Sequence, residues 1–177
     1  MIAAFDKALT RLEDGLVLIA CACFLCIVGI TAADVTARGL FNAPFAWSHD
    51  LITQYLLVAM FFLSLPYVTR VGGHMALDFL ARKIADPALR TVLVLIGEIL
   101  ALLLVVGIMA GGWSVLADAY RGGDLLAGDL AWPTWPSRAL QPLGAAVLAL
   151  RLLLRTFQAG QALLHRTVPP FLNQSGH

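Results

Sequence analysis

Four long apolar runs, almost free of charge, constrain the fold of this chain more than any other feature. Gly15 to Ala33 and Leu51 to Thr69 each contain 19 residues without an Asp, Glu, Lys or Arg. At about 1.5 Å of rise per residue, such a helix is roughly 28 Å long, which matches the hydrocarbon core of a bilayer. Two further runs, 91–117 and 139–162, contain only three charges between them. We therefore predict an all-α membrane protein with four transmembrane helices.

The composition agrees with this fold class and excludes others. The chain is 60% hydrophobic and 13% charged, whereas soluble domains average about 45 to 50% and about 25%. A net charge of +1 offers no basic field for nucleic acid, so we expect no nucleic-acid partner. Three cysteines between positions 21 and 26 cannot form a paired disulfide framework.

The runs divide the chain into three parts. Residues 1–14 form a cytoplasmic amphipathic lead-in, because apolar residues recur there at helical spacing. Residues 15–162 form the transmembrane domain, with a cytoplasmic surface helix predicted between Met75 and Ile84, and residues 163–177 form a cytoplasmic tail. The first run exceeds the 7 to 15 residues or so of a signal-peptide core, so we expect it to be retained as a span.

The distribution of Lys and Arg predicts the orientation. Nine of the twelve lie in the N-terminal piece, the loop after the second run and the C-terminal end, and three lie in the two alternate loops. Cytoplasmic segments retain positive charge during insertion, so both termini are expected in the cytoplasm. The four tryptophans then fall near the opposite interface, as an aromatic belt does.

Several patterns that could carry chemistry have a structural explanation that we favour. Cys23 and Cys26 have the C-x-x-C spacing but lie in the middle of a span, where a thiolate is disfavoured, so we expect inert packing. The four histidines lie outside the spans or at their ends, which disfavours axial haem ligation and a metal cluster. Gly107 and Gly111 allow close approach of a helix, either from this chain or from another protein.

Glu98 is the one acid inside a long apolar run, so ion transfer is one hypothesis for it. It lies about 10 Å from the expected cytoplasmic end of its span, and the antiparallel fourth span brings Arg151 to a similar depth. We expect a structural ion pair between Glu98 and Arg151, with Arg155 as a second donor one turn beyond.

Three loop motifs resemble those of the small membrane subunit of tripartite ATP-independent periplasmic (TRAP) transporters. The first runs from Arg38 to Trp47, the second from Arg70 to Asp78, and the third contains Trp135, Pro136, Pro142 and Gly144. The family usually has two acids shortly after the tryptophan, and here only Asp50 matches. In the second motif, Gly73 suits a sharp turn, and His74 and Asp78 share a helix face, which predicts a structural corner with Arg70.

The resemblance implies a bacterial inner-membrane scaffold that pairs with a large membrane subunit and is served by a periplasmic substrate-binding protein. The large subunit would import organic acids with sodium and would hold the sodium site, so no cofactor is expected in this chain. The lipid bilayer is the remaining partner. The alternatives are a four-helix redox or haem-anchor subunit and a small independent exporter.

Overall fold

The computed structural model describes residues 2–43, 45–71, 87–126 and 132–164, and every long element in these ranges is a helix. Helix α1 spans Ile2–Phe41. Helix α2 spans Ser48–Arg70 and contains a π-helical segment at Leu51–Leu56. Helices α3 and α4 span Pro87–Gly122 and Trp135–Leu164. All four are long and apolar enough to cross a membrane, which confirms the predicted number of spans and the all-α class.

The predicted lead-in is not a separate element. Residues 5–14 belong to the same uninterrupted helix as the first span. Leu9 and Ala20 are buried against the other helices, whereas Phe5 and Leu12 are about half exposed. The predicted surface helix at 75–84, and all of the tail beyond residue 164, lie outside the described residues.

The helices pack in the order α1, α2, α4, α3. In the most apolar window of α4, 44% of residues are buried, against 6% for α1, so α4 is the central helix and α1 is peripheral. One core cluster lies between α3 and α4, with Val105, Leu148 and Leu152. The other lies between α1 and α2, with Ala20, Ala59 and Leu63, and Cys23 packs against it.

Helices α2 and α4 approach each other very closely at Gly144. A Cβ atom added at Gly144 would lie 2.4 Å from the backbone oxygen of Phe62, so only glycine fits there. Gly107 and Gly111 behave differently, because an added Cβ at either position meets nothing within 4 Å. Their G-x-x-x-G spacing therefore does not serve packing among the described helices of this chain.

The antiparallel arrangement gives the bundle two chemically different ends. We call the end with Glu13 of α1, Arg70 of α2 and Arg151 and Arg155 of α4 the arginine end. The opposite end, with Trp47 at the start of α2 and Trp132 and Trp135 at the start of α4, is the tryptophan end. At this end, α1 and α3 are each followed by a residue with a positive φ angle. Asn42 follows α1 with φ 50°, and Gly123 follows α3 with φ 62°. Asn and Gly adopt this left-handed conformation readily, and it commonly ends a helix.

Candidate functional site

Among the described residues, the largest group of interacting charges is at the arginine end and involves three helices. Its central residue is Glu13, whose side chain is completely buried. Glu13 follows Leu9 by four residues and precedes Ala20 by seven, so all three lie on the buried face of α1. The helix therefore carries its carboxylate directly into the contact with α2 and α4.

Arg151 of α4 holds Glu13 by a two-point contact. Its Nε donates to Glu13 Oε1 at 2.5 Å, and its Nη2 donates to Glu13 Oε2 at 2.7 Å. Arg151 also contacts α1 at two positions before Glu13. Its Nη2 lies 3.2 Å from Oγ1 of Thr10, one turn earlier, and its Nη1 lies 2.6 Å from Oδ1 of Asp6, two turns earlier. This fork geometry is the strong form of an Arg–carboxylate pair, and it fixes α4 against α1.

Arg70, at the end of α2, adds a second cation to the same carboxylate. Its Nε lies 3.1 Å from Glu13 Oε2, and its Nη2 pairs with Asp14. The guanidinium also lies 4.9 Å from the ring centre of Tyr67, a cation–π distance. Asp6, Glu13, Asp14, Arg70 and Arg151 thus form one network, which we call the charge network, and it joins α1, α2 and α4.

Glu98 of α3 forms a separate buried pair with α4. Arg155 Nη1 lies 3.3 Å from Glu98 Oε1, and both side chains are less than 10% exposed. The predicted ion pair of Glu98 with the fourth span is present, but it is made by Arg155, which was predicted as the second donor, and not by Arg151, which was predicted as the main partner. Residues four apart on a helix differ by about 40° in direction. Arg151 therefore points towards α1, and Arg155 points towards α3.

The tryptophan end is held by backbone contacts and exposed pairs. The segment before α4 folds back on the end of α3, with Leu126 N donating to Trp132 O at 2.8 Å and Thr134 N to Asp124 O at 3.0 Å. Tyr55 of α2 donates its hydroxyl to the carbonyl of Pro133. These contacts connect α2, α3 and α4 at this end.

The first loop motif also forms a local corner. Arg38 pairs with Asp34 at 3.0 Å, and the other carboxylate oxygen of Asp34 accepts the backbone N–H of Phe45 at 2.7 Å. Trp47 stacks on Phe45 with ring centres 5.8 Å apart. Asp50 is partly buried in the first turn of α2. Arg38 and Trp47 therefore shape the turn between α1 and α2.

The candidate residues predicted from the sequence thus do not form one site but lie in different parts of the structure. Arg70 and Arg151 meet at Glu13, Glu98 is one helix away, and Arg38, Trp47 and Asp50 are at the opposite end. Gly73, His74 and Asp78 lie outside the described residues, so their predicted corner stays a prediction. Glu13 was missed because its segment was assigned to a surface lead-in. Its spacing from Leu9 and Ala20 on one continuous helix was the signal that could have found it.

The charge network and the separate Glu98–Arg155 pair are both arranged as structural contacts between helices. All four charged residues that are buried in the described part of the chain, Glu13, Glu98, Arg151 and Arg155, form ion pairs between helices. No three His, Cys, Asp or Glu side chains among the described residues are placed to hold a metal ion. In a low-dielectric setting, losing one member of such a pair leaves an uncompensated buried charge.

Comparison with known proteins gives one informative match. The family model described as "Tripartite ATP-independent periplasmic transporters, DctQ component" matches residues 27–161. This range contains all of α2 and α3 and most of α4, with Arg70, Glu98, Arg151 and the tryptophan end, whereas Glu13 lies outside it. No curated protein matches the chain.

Proposed function

The chain belongs to the DctQ family, the small membrane subunit of TRAP transporters, and on this premise we propose that it acts as a fixed scaffold for the large membrane subunit. It is a multi-pass transporter component and not an enzyme. The family is tripartite by description, so other TRAP subunits are its partners. In our proposal the large subunit carries the substrate, an organic acid, together with sodium, and a periplasmic binding protein delivers it.

One observation carries the scaffold proposal: the buried charges are used for packing between helices. Glu13 is held by arginines from two other helices, and Glu98 is held by Arg155. An ion-transfer residue must change its partners during transport, whereas these groups are paired with arginines inside the bundle, in one network across α1, α2 and α4 and one separate pair between α3 and α4. The arrangement supports a rigid body against which a second subunit moves.

We propose further that the arginine end faces the cytoplasm of a bacterial cell and the tryptophan end faces the periplasm. The nine-to-three division of Lys and Arg supports this orientation. A cysteine-free variant carrying either Lys7→Cys or Ala46→Cys would test it, since both positions are exposed and lie at opposite ends. Intact cells should react with an impermeant maleimide at position 46 and not at position 7. The reverse pattern would overturn the orientation.

The substitution Glu98→Gln tests whether Glu98 has a structural role or takes part in coupling transport to sodium. Removing the charge breaks the buried pair with Arg155, so the free energy of unfolding should fall by about 3 kcal/mol, the lower end of the range for a broken buried pair. Transport by the assembled complex, measured per assembled complex in proteoliposomes, should remain. Glu98→Asp is the matched control, because it keeps the charge on a shorter side chain.

The opposite result would contradict the scaffold proposal. If Glu98→Gln leaves stability and assembly unchanged but abolishes sodium-driven uptake, Glu98 takes part in coupling. If uptake requires no large subunit at all, the chain is an independent carrier.

A further inference from the structure

A cleft between α3 and α4 opens at the tryptophan end, away from the charge network. Its volume is about 450 Å³, and it is lined on α3 by Trp113, Leu116, Ala117, Tyr120 and Arg121 and on α4 by Trp135. The aromatic rings are largely exposed: Trp113 is 65%, Tyr120 71% and Trp135 44% exposed. The cleft thus combines an apolar floor, aromatic walls and one cation.

Because α3 is long and apolar enough to cross a membrane, the cleft would run from the headgroups into the hydrocarbon of a bilayer that ends near the last turn of α3. Arg121 is in that last turn, which ends at Gly122, so it would lie at headgroup level. Trp113 precedes it by eight residues and therefore lies about 12 Å deeper along the helix. Tyr120 and Trp135 meet edge to face at 6.0 Å near the upper rim. This depth accommodates a lipid headgroup together with the first part of an acyl chain.

The cation at the rim differs from the other arginines at this end. Arg38 pairs with Asp34 at 3.0 Å, and Arg138 pairs with Asp124 at 3.4 Å. Arg121 is exposed and makes no ion pair with any residue in the described ranges. Its positive charge is thus available at the depth where lipid phosphates lie, and a guanidinium binds phosphate by paired hydrogen bonds.

We propose that this cleft binds one glycerophospholipid, with its phosphate at Arg121 and an acyl chain along Trp113 and Leu116. Tryptophan and tyrosine are favoured at the interface because one part of each ring system is apolar and the other is polar. The site differs from the general lipid contact of the spans, because it adds a specific charge at one end of an open apolar cleft.

Native mass spectrometry of the full chain in dodecyl maltoside micelles tests the site, with 1-palmitoyl-2-oleoyl-phosphatidylglycerol as the probe. One lipid should be retained by the unaltered chain. Arg121→Gln should weaken retention by about tenfold or more, because it removes the phosphate contact. Arg138→Gln is the matched control at the same end, and it should leave retention unchanged because Arg138 is already paired with Asp124.

A second measurement locates the acyl chain. Phosphatidylglycerol with brominated acyl chains should quench tryptophan fluorescence, and Trp113→Phe should remove most of the saturable quenching. Equal retention by the unaltered chain and Arg121→Gln would overturn the proposal. So would binding of the soluble headgroup glycerophosphoglycerol with the same affinity as the lipid, or expulsion of the lipid when the large subunit assembles, which would make the cleft a subunit interface.

Discussion

The arginine end and the tryptophan end are held together by opposite means. At the arginine end, side chains far apart in the sequence meet in the interior, as when Arg151 holds the completely buried Glu13. At the tryptophan end, exposed pairs four to fourteen residues apart and short backbone contacts shape the turns, as with Arg38 and Asp34. Charge thus has two structural uses here: inside, it joins helices, and outside, it fixes corners.

This difference has an energetic consequence. An exposed ion pair contributes about 0 to 1 kcal/mol, because water screens it and ordering the side chains costs entropy. A buried pair that loses one partner costs about 3 to 5 kcal/mol, because the remaining charge stays desolvated. The two ends should therefore respond very differently to substitutions that remove one charge.

The largest effect is expected for Glu13→Gln. The substitution keeps the size of the side chain but leaves Arg70 and Arg151 without their shared carboxylate, so the free energy of unfolding should fall by about 3 to 5 kcal/mol. Thermal unfolding of the purified chain in micelles, followed by tryptophan fluorescence, measures it. Lys7→Gln on the exposed side of α1 is the control and should stay within about 0.5 kcal/mol.

A double-mutant cycle with Arg151→Gln sharpens this test. Because the two residues form one contact, the loss in the double variant should be clearly smaller than the sum of the single losses. Strict additivity, or a Glu13→Gln variant as stable as the unaltered chain, would show that the charge network does not hold the arginine end together.

Much of the architecture could be predicted from the sequence, because membrane spans are set by local properties. Charge-free runs of sufficient length gave four spans, and the structure contains four suitable helices. The alternation of the runs placed Arg70, Glu98 and Arg151 at one end and Trp47 and Trp135 at the other. These features depend on composition and chain order alone.

The pairing of the buried charges could not be predicted in the same way. Whether Glu98 pairs with Arg151 or with Arg155 depends on how α4 is rotated about its own axis. A mostly apolar sequence does not determine that rotation. Glu13 was missed for another reason. Charges near a chain end are typical of surface segments, and only the continuous helix Ile2–Phe41 places this carboxylate on a buried face.

A medium effect is expected between the two ends, at Gly144→Ala. The added methyl group would lie 2.4 Å from the backbone oxygen of Phe62, and backbone cannot yield without moving α2. Such overpacking costs about 1 to 3 kcal/mol. Gly107→Ala is the matched control, since its Cβ meets nothing within 4 Å, and it should gain up to about 1 kcal/mol from helix propensity. Equal effects of the two substitutions would contradict the close approach of α2 and α4.

The smallest effect is expected at the tryptophan end, for Arg38→Gln. Its ion pair with Asp34 is exposed, so its loss should lower the free energy of unfolding by no more than about 0.5 to 1 kcal/mol. Asp34→Ala should cost more, about 1 kcal/mol beyond the ion pair, because it also removes the acceptor for the Phe45 N–H. Both are measured by the same unfolding assay as Glu13→Gln. If Arg38→Gln were as harmful as Glu13→Gln, charge would be holding both ends in the same way, and the contrast between a buried lock and an exposed corner would fail.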